Sequence, residues 1–465
     1  MNIIKVAVVN PTRIFDPWET YLTIGTIGLC PDGMWLDHTS LTLAEIIRQK
    51  GFNVKYFDGE NRLMDPFDLA EEIKCFVPKY VIIATETVDY ERAPQINYSY
   101  VNRLVEMIKT FNSGVKVLVY GTHPMVDMIS LSKQIDYVVM GDPEEVIPNL
   151  IEDQCGLKRG TWDTVGNASF RTENLDALPF PAVDLVENVD AKCSEYASGL
   201  KGKFIQLALS RGCNYSCGFC FRSTGTEIRR MSVPRAVELL TFLKSKGFES
   251  FFFIDDCWGG GLKGVEWAKE LCKRMIPLDI KWSCQTRADI VVDKELAQLM
   301  KLSGCETVGF GLETYNEDLL IKNGKALRLD DIDKAYEALT GADLKVIMFW
   351  VLGLVGETEA TIQRTINYIL KKKPYGAGCL LAVPYPMSKM SNCKEGFVYE
   401  AYLKAGMVGN DVFKDLYDAR KRWAEIDRQV SGEFNLLSQV KKYRPNVYER
   451  YEQALVMLRK MGRIA

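Results

Sequence analysis

Three cysteines at the spacing C-x-x-x-C-x-x-C, Cys213, Cys217 and Cys220, are the residues in this chain best placed to do chemistry. Thiolates are the soft ligands that iron–sulfur clusters require. Three of them on one short loop hold three irons of a [4Fe–4S] cube and leave the fourth iron open to a small molecule. Gly212 and Gly218 lie inside the loop and let it wrap closely. Two other readings stay open at this point. Structural zinc would use the same thiols, although zinc sites pair two C-x-x-C hooks or add histidine, and neither lies nearby. Inert buried cysteines are the other.

The whole chain bounds what can surround the loop. Its 465 residues allow two or three domains, and 47% hydrophobic residues supply full-sized cores. With 58 basic against 61 acidic residues the net charge is −3, which gives no electrostatic reason to expect nucleic acid or an anionic membrane as partner. Thirteen cysteines, an odd and mostly scattered set, fit free thiols in a reducing compartment better than a disulfide framework. An oxygen-sensitive cluster points the same way, so a cytoplasmic location is expected. The first ten residues lack signal-peptide anatomy, and the longest apolar run, 346–356, is too short to span a bilayer.

The elements that position the loop follow from periodicity. In the first third, strand-like runs at 5–10, 54–58, 80–85, 115–120 and 137–140 alternate with helical patterns at 39–50, 68–76, 98–111 and 144–152. That alternation predicts a doubly wound, Rossmann-like α/β domain with a parallel sheet. Ligands of such sheets sit outside the carboxyl ends of the strands, at the switch point. The candidate rim is Asn10, Thr12, Glu60, Glu86, Thr87, Gly121, Thr122, His123, Gly141 and Asp142. No G-x-G-x-x-G follows the first strand, which disfavours a dinucleotide.

After the cysteine loop the alternation resumes. Strand-like runs at 204–209, 250–254, 280–285, 307–311, 345–352 and 378–383 are separated by helical patterns at 235–246, 264–275, 294–303, 330–339 and 360–370. Six such units predict a partial (β/α)6 barrel, with chemistry at the carboxyl ends of its strands. Polar residues stand at those ends: Asp255 and Asp256, Gln285 and Arg287, Glu313 and Thr314, Glu357, and Pro384 to Pro386. Arg222, Arg229 and Arg230 form a basic patch beside the loop, read as a solvated face ahead of a grip on an anionic substrate or cofactor phosphate. From Lys394 onward the strand signal fades, and 420–429 and 447–461 read as helices of mixed charge.

The cysteine spacing, with the aromatic Phe219 one place before the third cysteine, resembles the radical S-adenosylmethionine (SAM) superfamily. The run Val119 to Pro124, the run Tyr137 to Glu145 and the linker-like Asn174 to Ala182 resemble the cobalamin-dependent branch of that family. So do the strand ends, where the branch carries paired aspartates, Gly-x-Glu-Ser, Gly-x-Pro-Gly-Glu and Pro-Tyr-Pro-Gly-Thr. Here Thr314 replaces the serine, Val355 a proline, and Met387 and Ser388 the final pair. The resemblance implies a cobalamin-binding domain at 1–155, a linker at 156–199, a radical SAM partial barrel at 200–392 and a helical C-terminal region at 393–465.

The cofactors it implies are a [4Fe–4S] cluster on Cys213, Cys217 and Cys220, SAM and cobalamin. SAM contacts are expected from Phe219, Asp255, Asp256, Arg287 and Glu313. For Arg287 a plain pairing with Asp289 weighs equally. Cobalamin contacts are expected from Asn10, Thr12, Glu86, Thr87, Gly121, Thr122, His123 and Gly141, with His123 read equally well as a loop histidine beside a proline. The motif D-x-H-x-x-G is absent, so a histidine ligand to cobalt on that pattern is not expected. The implied activity is methyl transfer to an unactivated carbon by way of a 5′-deoxyadenosyl radical and methylcobalamin. Relatives that cyclise, rearrange rings or do redox chemistry without methyl transfer are not separated from it by sequence. A methylthiotransferase would need a second cluster, for which Cys30, Cys75 and Cys155 are poorly spaced. Implied partners are a small-molecule or peptide substrate and an electron donor such as flavodoxin or ferredoxin.

Overall fold

The computed structural model describes residues 3–11, 36–62, 64–85, 98–121, 124, 131–152, 171–187, 200, 202–222, 224–382 and 388–390, with seven isolated positions beyond them. Arg422, Glu449, Glu452, Gln453, Leu455, Val456 and Lys460, those seven, are helical; the rest of the two expected C-terminal helices lies outside the described residues.

The first sheet has five parallel strands in the order β2-β1-β3-β4-β5: β1 Lys5–Asn10, β2 Asn53–Asp58, β3 Tyr80–Ala84, β4 Lys116–Tyr120 and β5 Tyr137–Val139. The period-2 alternation sends Ala7 and Val9 of β1 to one face, where helices α2 (Pro66–Phe76) and α3 (Tyr98–Phe111) cover them. Val6 and Val8 go to the other face, under α1 (His38–Gln49) and α4 (Pro143–Ile151). Chain order reverses between β1 and β3, so the switch point opens beside Asn10 and Thr85. Helix starts lie within one or two residues of the expected positions because the caps are legible: Asp37 and Asp65 accept from first-turn amides of α1 and α2.

The second sheet has six strands in the order β13-β12-β11-β10-β9-β6, all parallel. They are β6 Phe204–Leu207, β9 Ser250–Phe253, β10 Lys281–Thr286, β11 Cys305–Glu313, β12 Lys345–Leu352 and β13 Gly376–Leu381. Between them run α5 Val233–Ser245, α6 Gly264–Met275, α7 Lys294–Leu302, a short α8 Glu317–Lys322, α9 Leu329–Gly341 and α10 Glu359–Lys372. The expected open, partial barrel is present. The unexpected elements are α8 and a two-residue antiparallel ribbon, β7 (Ser210–Arg211) with β8 (Arg229–Arg230), that closes the base of the cysteine loop. What reads in sequence as one strand from 204 to 209 therefore breaks after Leu207.

The two sheets share one continuous apolar core. Leu41 and Ile47 of α1 belong to the same cluster as Leu175 and Val183 of the intervening segment and as Ile205 and Leu240 of the barrel. That segment is tied to both sides. The Ala182 amide donates to the Leu41 carbonyl at 3.1 Å, the Ser232 amide donates to Asp176 at 2.7 Å, and Phe180 stacks on Phe242 at 4.8 Å. Among the described residues no helix is long and apolar enough to cross a membrane.

Candidate functional site

The cysteine loop leaves the barrel at the carboxyl end of β6 and returns through β8. Gly212 opens it at φ +91, and a Cβ there would overlap the Glu227 carbonyl. Gly218 serves differently: its φ is not positive, but its amide donates to the Asn323 carbonyl at 2.7 Å and its carbonyl accepts from the Met390 amide at 3.2 Å. Gly324, at φ +73, sits so near the Ser216 carbonyl that its Cβ would lie 2.6 Å from it. The turn after α8 thus braces the loop from the side.

The aspartate pair braces it from below. Asp255 is fully buried, accepts from the Ser210 hydroxyl at 2.5 Å and from the Leu209 amide at 3.2 Å. Asp256 accepts from the Gly212 amide at 2.7 Å and from the Thr224 hydroxyl, which itself accepts from Gly212 at 3.0 Å. Sequence reasoning expected both carboxylates to contact SAM; the bonds they make here run to the base of the loop. Burial pushes the Asp255 carboxyl up to about 6. A raised carboxyl favours the folded chain most when protonated. Its contribution is therefore full below about pH 4 and is lost as pH rises through about 6, to the extent of roughly 3 kcal/mol. The urea midpoint of Asp255→Asn should accordingly gain on wild type between pH 4 and pH 7.5. A pH-independent difference would contradict the buried ionisation.

Cys213, Cys217 and Cys220 are all half-buried and none is in a disulfide. Burial pushes the Cys217 thiol up, opposed by the cations Lys325 and Arg287. Among the described residues no group of three His, Cys, Asp or Glu side chains is arranged to hold a single metal ion. Three half-buried thiols on one loop, with Arg287 and Lys325 beside Cys217, are a donor set that fits an anionic cluster.

Of the two readings of Arg287 left open by sequence, the pairing with Asp289 is present. Arg287 pairs with Asp289 at 3.0 and 3.1 Å, donates to the Ala326 carbonyl at 3.2 Å and lies 3.7 Å over the Tyr215 ring. One Nη also stands 3.9 Å from the Cys217 sulfur. Burial works against its charge, but Asp289 outweighs that and holds the guanidinium above its ordinary value. Glu313 ends β11 on a bulge, at φ +55, a conformation that costs energy in a non-glycine residue. Its carboxylate accepts from Lys325 at 2.5 Å, and Lys325 also donates to the Gly311 carbonyl at 2.8 Å. Lys325 is buried and was not singled out by sequence. Phe219 is half-buried against the barrel core.

The basic patch is corrected at Arg229, while Arg222 and Arg230 are half-buried. Arg229 is buried rather than solvated, and Arg211, not considered from sequence, is buried beside it. Arg229 donates to Asp142 at 2.5 Å, and Arg211 donates to Glu144 at 2.6 Å. Arg222 donates to the Tyr215 carbonyl at 3.2 Å. At the first sheet's rim Asn10 is buried and donates to Asp58 at 3.2 Å, while Gly121 and Gly141 take φ of +121 and +99. Thr12, Glu86, Thr87, Thr122 and His123 lie outside the described residues, as does the sixth-strand stretch 383–387.

Comparison with known proteins agrees with this arrangement. Residues 207–369 match the model of the radical SAM superfamily. An uncharacterized methyltransferase of Pyrococcus horikoshii is 27% identical over 84% of this chain and 83% of its own length. An anaerobic magnesium-protoporphyrin IX monomethyl ester cyclase of Cereibacter sphaeroides is 22% identical over 77% of this chain and 60% of its own. Among solved structures, the radical SAM methyltransferase TsrM from Kitasatospora setae, with cobalamin and a [4Fe–4S] cluster bound, superposes with a TM-score of 0.64 at 17% identity, over 83% of this chain and 77% of that one. The chain carries a radical SAM domain over residues 207–369, joined to a five-stranded first domain in the fold shared with that enzyme.

Proposed function

We propose that the protein is a cobalamin-dependent radical SAM methyltransferase acting on an unactivated carbon of a small molecule or peptide. The observation that carries this is the half-buried three-cysteine loop at the carboxyl edge of a six-stranded parallel barrel, beside a first sheet of order 2-1-3-4-5. The similarity to proteins known as methyltransferases supports methyl transfer.

When bound, the cluster supplies one low-potential electron and an open iron for SAM, and the corrinoid supplies a methyl carrier. The chain's part is holding and shielding. Cys213, Cys217 and Cys220 hold the cluster, and the Asn323 to Ala326 turn and the aspartate pair keep their loop in shape. Arg287 and Lys325 place two cations beside it and offer partners to the SAM carboxylate, while Glu313 offers an acceptor to the ribose hydroxyls. Asn10, Gly121 and Gly141 lie at the rim where a corrinoid would seat; Thr12, Glu86, Thr87, Thr122 and His123, outside the described residues, are its further contacts in this reading. The domain limits follow: corrinoid domain 1–155, linker 156–199, barrel 200–392, helical region 393–465. An electron donor of the flavodoxin or ferredoxin class and a cytoplasmic location fit this chemistry.

The test is anaerobic reconstitution with iron and sulfide in the presence of hydroxocobalamin. Reduced protein should show an iron–sulfur chromophore, retain corrinoid through gel filtration and release 5′-deoxyadenosine from SAM. Zinc in the loop, or no chromophore, would overturn the reading. The cyclase relative favours a second outcome, in which SAM is cleaved and corrinoid retained but no methyl group reaches any product.

A further inference from the structure

Four charged side chains meet between the first sheet and the cysteine loop, each with at most 6% of its surface exposed: Asp142 and Glu144 from the start of α4, Arg211 and Arg229 from the β7–β8 ribbon. We propose that this cluster is a positioning joint, through which the rim of the first sheet holds the cysteine loop in its ligating shape. The proposal rests on the reading of that loop as a cluster site.

Asp142 occupies the N-cap of α4 yet makes no cap bond to its own helix. One oxygen of its carboxylate, Oδ2, is used elsewhere, accepting from the Thr172 amide at 2.9 Å and from Arg229 at 2.5 Å. A capping aspartate ordinarily satisfies one of its helix's free amides, so its diversion marks a competing geometric demand. Burial raises its carboxyl, but Arg211 and Arg229 outweigh that and hold it below the usual range.

The opposite side of the joint is the loop itself. Arg211 and Arg229 face one another across the ribbon. Two guanidinium groups on one buried ribbon repel unless matched, and the two carboxylates of α4 match them: Arg211 reaches Glu144 at 2.6 Å and Asp142 at 3.4 Å. Arg171 is drawn to the same place, its charge disfavoured by burial and supported by Asp142 and Asp256. From Arg229 the contacts run into the loop. Its second Nη donates to the Thr224 carbonyl at 2.8 Å, and the Thr224 hydroxyl accepts from the Gly212 amide at 3.0 Å, one residue before Cys213. Gly141, at the corrinoid rim, is covalently next to Asp142. The joint therefore ties the rim to the thiols through a short series of directed bonds. Buried ion pairs are poor sources of net stability compared with apolar packing, whereas two-pronged arginine contacts fix geometry.

The test uses the full chain with Asp142→Asn, Arg229→Gln and the two combined, followed by amide hydrogen exchange and by electron paramagnetic resonance of the reduced, reconstituted cluster with and without SAM. Each single variant should raise exchange across 211–222 by about tenfold or more and broaden the cluster signal, while β3 and β4 keep wild-type exchange. The paired variant should recover much of the loss, since neither buried charge is then left alone. Exchange that rises equally in loop and first sheet, or a loop unchanged in both singles, overturns the joint. Should Arg229→Gln fail to fold, Arg229→Lys keeps the charge but cannot reach both Asp142 and the Thr224 carbonyl, and wild-type loop exchange there overturns it as well. If no protein, wild type included, takes up iron, the cluster reading fails, while the exchange data, which need no metal, still decide the joint.

Discussion

Cys217→Ala should leave the protein folded and abolish its iron–sulfur chromophore and its SAM cleavage. Replacing only an outer partner of a metal ligand costs 10–100-fold, so removing a ligand itself should lower 5′-deoxyadenosine release by more than about a hundred-fold. Stability is spared because the loss is small in packing terms. Cys217 is half-buried, on a loop held by its backbone at Gly218 and Cys220 rather than by the thiol. Its sulfur makes one long contact, 3.9 Å from Arg287. Thermal unfolding of the metal-free chain should therefore match wild type within about 1 kcal/mol, while iron content collapses. Equal iron and equal cleavage in the variant would remove this residue from the site. Cys213→Ala and Cys220→Ala should behave alike, whereas Cys75→Ala, at an exposed position in the first domain, should change neither property.

Gly212→Ala should be more damaging to the fold than any of these. A residue with a side chain is strained at φ +91, and the added methyl would overlap a backbone carbonyl, that of Glu227, which has no flexible end to move aside. The loop cannot relieve the clash cheaply. Gly212's amide is shared between Asp256 and Thr224, and the neighbouring Cys213 amide donates to Gly225 at 3.1 Å. We expect a loss of about 3 kcal/mol or more, read as a lowered urea midpoint, and little iron uptake. Gly218→Ala is the matched control: its φ is not positive and its nearest obstacle lies at 3.3 Å, so the effect should be a small fraction of that at Gly212. Similar midpoints for the two variants would mean that the loop is not closed as described.

The legible part of this protein is what proximity along the chain encodes. Cys213, Cys217 and Cys220 fall within eight residues of one another, so their spacing alone pointed to soft-metal chemistry. The alternation of apolar runs with amphipathic stretches similarly laid out both parallel sheets, because side-chain periods of 2 and 3.6 are local properties. What tertiary structure decided was the pairing of charge. Arg229 and Asp142 are 87 residues apart, Arg211 and Glu144 67 apart, and Gly212 and Asp256 44 apart. In one dimension an arginine or a lysine reads as solvated, since an ionised group leaves water only when a partner waits for it. No local signal announces such a partner. Arg229 thus passed for surface, Lys325 went unremarked, and the loop-base bonds of Asp255 and Asp256 went unseen, until the fold brought their partners beside them.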